Sequence, residues 1–231
     1  MNKVNKTFRS MYPFYNSATG KMVAGALREL VLSVWNAEAD NPLNKFAVVG
    51  EADFLLPALP RGSILCDECK DRYLPLPQGN FSHVAAFDFF KDKTDEKHFI
   101  KELYRITEDG GKVIFIAAKK NSFWTYDESM PFKGSVQYND NELKSLFTEI
   151  GFSNLSFGKA LLLPPALYNE NFAAKEQKFK NVLGWLAGIT AVFAQKESLA
   201  VIPAAENTFS FGKNSKTIKQ QTTVTVRDKN G

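Results

Sequence analysis

The stretch Phe99-Ile100-Lys101-Glu102-Leu103-Tyr104-Arg105-Ile106-Thr107-Glu108-Asp109-Gly110-Gly111-Lys112-Val113-Ile114-Phe115-Ile116-Ala117 decides the fold class. Its first half carries Phe99, Ile100, Leu103, Tyr104 and Ile106 at helical spacing. Glu108 to Gly111 reads as a helix stop and turn. Lys112 to Ala117 is then a short apolar run with the character of a buried strand. A helix that hands over through a glycine turn to a buried strand is half of a βαβ unit.

The same alternation extends in both directions. Met22, Val23, Ala26, Leu27, Leu30, Val31, Val34 and Trp35 predict an amphipathic helix, capped by Ser17 or Thr19 and stopped near Asn41-Pro42. Phe46 to Val49, Ser63 to Cys66 and Ser82 to Phe87 predict three short strands. Downstream, Asn121 to Tyr138 reads as an aromatic-rich loop, and Asp140 as the cap of a helix that Gly151 ends. Phe152 to Phe157 and Gly188 to Lys196 read as strands on either side of a helix from about 171 to 186. The pattern predicts an α/β three-layer sandwich with a mostly parallel sheet and two closing strands. Ligands in such sheets bind at the carboxyl ends of the strands, where strand order reverses.

Composition narrows the class. The 231 residues are 44% hydrophobic and include 20 Phe, 7 Tyr and 3 Trp, enough apolar area for a sizeable core. The formal charge of +4 resides at the ends: residues 1–9 hold three bases, and residues 205–231 hold five bases against two acids. Residues 10–204 therefore hold 21 bases and 23 acids, a slightly acidic body. The terminal bases are sparse and not interleaved with aromatics, so solvated tails are a better reading than nucleic-acid contacts. No apolar stretch reaches transmembrane length, the start lacks the core of a secretory signal, and no membrane partner is expected. A cytoplasmic location is the expectation, and two Cys suit a reducing compartment. The expected organisation is a leader or lid over 1–16, one domain over 17–204 and a disordered polar tail over 205–231.

Three segments resemble class I S-adenosylmethionine-dependent methyltransferases of the kind called methyltransferase type 11. Cys66-Asp67-Glu68 followed by Leu74-Pro75-Leu76-Pro77-Gln78-Gly79-Asn80-Phe81 is similar to the family's acid and its "LPLPDGSF" run. Phe99 to Ile114 is similar to "LREVWRVLKPGGRLLI", and Tyr138 to Phe152 to "YSREELEELLREAGF". Tyr15 to Gly20 and Leu162 to Pro165 resemble a bacterial subgroup of that family. The resemblance implies S-adenosyl-L-methionine as cofactor and an unidentified methyl acceptor. It implies a cofactor cleft built from Gly50, Glu51, Ala52, Asp67 and Glu68, with Phe87 near the reacting carbon and Asp88 as the candidate general base. Tyr15, Phe123 and Trp124 are the candidates to line an acceptor pocket, with packing beneath a loop as the other reading. Tyr12 and Phe14 join Tyr15 in a possible lid or a hydrophobic staple.

The chain departs from the family in two places. Val49-Gly50-Glu51-Ala52-Asp53 keeps a single glycine of the usual motif, and Glu51 and Asp53 read more readily as solvated acids. Asp67 follows Gly50 by only 17 positions, so one strand–helix unit is expected to be missing. Asp67 then stands for either the ribose-binding or the adenine-binding acid. Two function classes stay open: a methyltransferase, and a non-catalytic module of that fold that binds a partner. Cys66-Asp67-Glu68-Cys69 reads as two structural thiols, because His83 and His98 are the only imidazoles and are badly spaced for zinc. No metal is expected.

Overall fold

Phe46–Val49 and Phe81–Asp88 are buried at every position, which places both in the middle of a sheet covered on its two faces. In the computed structural model, residues 12–35, 41–50, 52, 54–55, 59–66, 73–88, 96–126, 130, 132–173 and 175–197 are described. They all belong to one compact unit, Met1–Glu197. The expected tail and most of the expected leader lie outside them.

The strands are β1 (Phe46–Val49), β2 (Ile64–Cys66), β3 (Phe81–Asp88), β4 (Thr107–Lys119), β5 (Gln137–Tyr138), β6 (Phe152–Ala160) and β7 (Ile189–Lys196). Their order is β2-β1-β3-β4-β7-β6, with β5 beside the end of β4. β1 pairs parallel with both β2 and β3, and β3 pairs parallel with β4. β7 is antiparallel to both β4 and β6. This is the expected mostly parallel α/β sandwich. The chain steps outward from β1 to β2, then crosses back to β3 on the other side of β1. Strand order therefore reverses between β1 and β3.

Among the described residues, β2 has no neighbour on its outer side. Only residues 67–80 connect it to β3. That is too few for a further strand with its crossovers, as the spacing predicts.

Two helical layers cover the sheet. On one face, α2 (Ala18–Trp35) packs Val23, Leu27, Leu30, Val31 and Trp35 against Phe46, Val48, Ile114 and Ile116. The Ser17 hydroxyl oxygen accepts the Gly20 N–H at 3.0 Å and caps this helix. On the other face, α3 (Glu96–Ile106) and α5 (Asp140–Ile150) pack Phe99, Leu103, Leu143 and Phe147 against Val113 and Phe115. The alternation of β4 residues between the two clusters is the period of two of a strand.

Several local expectations are corrected. Thr107 to Gly111 is the first part of β4, because Thr107 already pairs with Phe81. The stretch after β4 is not all loop: it contains the short helix α4 (Phe123–Tyr126) and β5. Asn139, not Asp140, caps α5. Its side chain accepts the Glu142 N–H, and Glu142 returns the bond in a capping box. The helix expected over 171–186 is two pieces, α6 (Glu170–Ala173) and α7 (Glu176–Leu183), followed by a 3-10 turn over Gly184–Leu186. Asn169 accepts the Phe172 N–H and so caps the start of the first piece. Glu176 then faces the core, where its carboxylate accepts the Leu162 N–H at 2.6 Å and the Tyr168 hydroxyl at 3.1 Å.

Candidate functional site

The reversal between β1 and β3 puts Gly50 and Phe87 at one point. Gly50 has φ of +103°, a backbone conformation that L side chains rarely adopt. A Cβ there would stand 2.7 Å from the Phe87 carbonyl oxygen and 3.2 Å from the Phe87 Cβ. The Gly50 N–H donates to the Cys66 carbonyl at 2.9 Å, so the ends of β1 and β2 are tied together. Glycine is required here by the turn and by the close approach of β3.

Beyond Gly50 the chain turns inward. Ala52 and Leu55 are fully buried, and the Leu55 N–H closes a turn on the Ala52 carbonyl. Phe54 sets its ring edge-on to Phe87, with centroids 5.6 Å apart, and lies 4.5 Å from Tyr15. Arg28 of α2 donates to the Phe54 carbonyl at 2.8 Å and holds this turn from outside the sheet. Tyr15, from α1 (Tyr12–Tyr15), thus reaches the Gly50 turn through Phe54.

Asp88 sits at the carboxyl end of β3 and is only 3% exposed. Burying an unpaired carboxylate is expensive. Here the Tyr138 hydroxyl donates to Asp88 Oδ2 at 2.6 Å, a charge-assisted bond. Burial, followed by the Asp88 charge and this bond, holds the Tyr138 phenol far above its ordinary pKa, so it stays protonated. β5 makes the contact possible. It continues the line of β3 along β4: Asp88 pairs with Ala117, and Gln137 and Tyr138 pair with Ala118 and Lys119.

The predicted residues divide into three groups. Gly50, Ala52, Phe87 and, through Phe54, Tyr15 meet at the reversal point. Asp88 is on the opposite face of the sheet, toward α3 and α5. Trp124 is fully buried, its indole N–H donating to the Leu163 carbonyl at 2.7 Å and its ring edge-on to Tyr168, whereas the adjacent Phe123 is 53% exposed. Glu51, Asp53, Asp67, Glu68 and Cys69 lie outside the described residues. Cys66 is buried at the end of β2. Among the described residues no group of three His, Cys, Asp or Glu side chains is placed to hold a metal. No helix among them is long and apolar enough to cross a membrane.

Sequence reasoning passed over Phe54, Arg28 and the role of Tyr138. It also passed over a polar cluster at the same end of the sheet. There Lys159 contacts Asp140 and donates to the Thr190 hydroxyl at 3.0 Å, and that hydroxyl donates to Asp140 Oδ1 at 3.0 Å. Burial lowers the Lys159 pKa below its ordinary value, against the pull of Asp140. The local signal for Tyr138 was its place in the third resembling segment. For the others there was none.

With this geometry in view, comparison with solved structures is decisive for the fold. A methyltransferase of Thermotoga maritima, described as S-adenosylmethionine-dependent and a possible histamine N-methyltransferase, superposes with a TM-score of 0.56 at 16% identity. The match covers 80% of this chain and 94% of that one. The fold is the Rossmann-like methyltransferase fold. An S-adenosylmethionine-dependent methyltransferase of Archaeoglobus fulgidus superposes with a TM-score of 0.52 at 12% identity, over 81% of this chain and all of that one. No protein-family model matches the sequence, and no curated protein does.

Proposed function

We propose that the chain binds S-adenosylmethionine across the carboxyl ends of β1, β2 and β3 and transfers its methyl group to a small-molecule or protein acceptor. The observation that carries this reading is the reversal of strand order at Gly50 and Phe87, the crevice where open α/β sheets bind ligands. The residues at hand suit the cofactor in one respect: a turn at positive φ brings backbone to the crevice. Gly50, Glu51 and Ala52 would take the methionyl end of the ligand, and Phe87 and Asp88 the end that reacts.

The position of β2 bears on Asp67. Because β2 lies directly beside β1, the residues after it follow the strand whose acid holds the ribose hydroxyls in the resembling family. Asp67, with Glu68 beside it, takes that role in our reading, and the adenine-binding acid has no counterpart. Methyl transfer is a displacement at carbon, so exclusion of water and alignment supply most of the acceleration. Asp88 would accept the acceptor's proton, with Tyr138 fixing its carboxylate. Tyr15 and Phe123 would face the acceptor, and the buried Trp124 would back that wall.

A second reading has its own observation. Phe54, wedged between Tyr15 and Phe87 behind Gly50, fills with a side chain the turn that a ligand would approach. That favours a non-catalytic module of the same fold. Titration calorimetry with S-adenosylmethionine and with S-adenosylhomocysteine separates the two. Binding is expected for both ligands, weakened about tenfold by Asp67→Asn, as for loss of one charged hydrogen-bond acceptor. No heat at millimolar ligand would overturn the methyltransferase reading and leave the module.

A further inference from the structure

Helix α7 and the turn that follows present a row of apolar side chains to solvent. Phe179 is 41% exposed, Val182 70% and Trp185 72%. Their spacing of three puts them along one side of the segment. Phe179 is backed by Phe172 of α6, with rings stacked 5.7 Å apart, so the row stands on an ordered base. The Lys119 ammonium donates to the Trp185 carbonyl at 3.0 Å, which fixes the turn at the carboxyl end of β4 and leaves the indole outside.

The charges around this row are arranged with it. Counting about 100° per residue, Glu176 defines the inward side of α7, and its carboxylate is indeed buried against Leu162 and Tyr168. Lys178 and Val182 turn away from that side, Lys175 flanks it at the start of the helix, and all three are exposed. The one acid of α7 is thus turned into the core, and the outward side interleaves lysine with apolar residues. Glu170, on α6, is the exposed acid nearest in sequence.

A second copy of this chain is a poor occupant, because it would set Lys175 and Lys178 against their own counterparts. Side chains that are two-thirds exposed stand proud of the surface rather than lining a groove, so a protein partner would have to supply a matching cleft. A lipid interface needs no matching shape. Trp at the headgroup level, apolar side chains below it and lysines reaching anionic headgroups form the pattern of an interfacial helix. We propose that the outward side of α7, with Trp185, docks this protein on the surface of an anionic phospholipid membrane without crossing it. The inference is independent of cofactor binding.

Sedimentation of the full chain with vesicles tests it. Vesicles of phosphatidylcholine with about 30 mol% phosphatidylserine are expected to carry down at least about tenfold more protein than vesicles of phosphatidylcholine alone. The pair Val182→Ser and Trp185→Ser, both at exposed positions, is expected to reduce that partition about tenfold or more, with an unchanged circular dichroism spectrum. Lys175→Glu with Lys178→Glu is expected to abolish the preference for the anionic vesicles. Failure of the wild-type chain to sediment with anionic vesicles would overturn the proposal in favour of a protein partner. Sedimentation undiminished by the Val182 and Trp185 changes would overturn it equally, since the attraction would then arise elsewhere on the chain.

Discussion

The two halves of the sheet are built to different scales. On one side of the β3–β4 pair stand β1 and β2, of four and three residues; on the other stand β7 and β6, of eight and nine. The short half holds the reversal point at Gly50, and the long half holds the polar cluster around Lys159. Each half is tied by a buried glutamate to a backbone N–H. Glu102 accepts the Leu74 N–H at 2.9 Å just before β3, and Glu176 accepts the Leu162 N–H just after β6. The two differ in company. Glu102 is paired with Arg105, which also donates to the Leu74 and Leu76 carbonyls, whereas Glu176 has a phenol and, at longer range, the like charge of Glu29. The ionisation equilibria follow: burial raises both, the Arg105 bond and the Leu74 N–H bring Glu102 below its ordinary value, and Glu176 stays above. An anchor therefore gains from charge only where a cation shares the burial.

The sharpest way to break the comparison is at its glycines. Gly50→Ala is expected to cost about 3–4 kcal/mol, the sum of left-handed strain and a clash with the backbone of β3. Gly188→Ala, in the long half, meets the Trp124 ring at 2.5 Å rather than a backbone atom. About 1–3 kcal/mol is expected there, because an indole can shift where a strand cannot. Urea unfolding of both variants measures the difference, and equal costs would show that the short half is no more rigid than the long one.

Next come the anchors. Glu102→Ala removes the acceptor of Leu74 and the partner of Arg105 together, and about 2–3 kcal/mol is expected. Glu176→Gln keeps an oxygen for Leu162 and removes a charge that burial disfavours, so a change within about 1 kcal/mol is expected. A Glu176→Gln variant as unstable as Glu102→Ala would mean that the carboxylate charge, not its shape, holds α7.

The smallest effect is on pH dependence, and the two glutamates should act in opposite senses. Glu102 has a lowered pKa, so its contribution is complete above the unfolded value of 4.5 and is lost as pH falls through the folded pKa. Glu176 has a raised pKa, so ionisation takes stability away above 4.5, and acidification through its folded pKa removes that penalty. Relative to wild type, Glu102→Gln should therefore be least stable near neutral pH and approach wild type below about 4.5. Glu176→Gln should compare best near neutral pH and lose its advantage as the wild-type carboxyl takes up its proton. Urea midpoints measured from about pH 2.5 to 7 check both slopes.

What the sequence disclosed follows from the range of the interactions involved. Phe99 to Ala117 could be read because helix and strand periods are written in neighbouring residues, and with the same alternation around it came the mostly parallel sheet. The short spacing between Gly50 and Asp67 likewise pointed to a missing strand–helix unit, and among the described residues β2 has no outer neighbour. Asn139 against Asp140 as the cap of α5 turned on which of two adjacent residues is extended, a distinction that composition does not carry. Glu176 at the start of α7 finds its partner in Leu162, fourteen residues away. The bond from Tyr138 to Asp88 spans fifty residues and exists only because β5 extends the line of β3. Local rules do not reach such pairs.

That β2 has no outer neighbour among the described residues has a consequence for how this molecule behaves in crowded solution. A sheet edge offers a row of amide and carbonyl groups on which another chain can template. At β2 that row is only three residues long. The far edge, β6, is longer, but its pairing with β7 shifts between Ser153 and Ser156, and Asn154 there has φ of 52°. A bulge at an edge twists the strand away from straight pairing. Among the described residues, then, one edge is too brief and the other too bent to serve as a straight template for another chain.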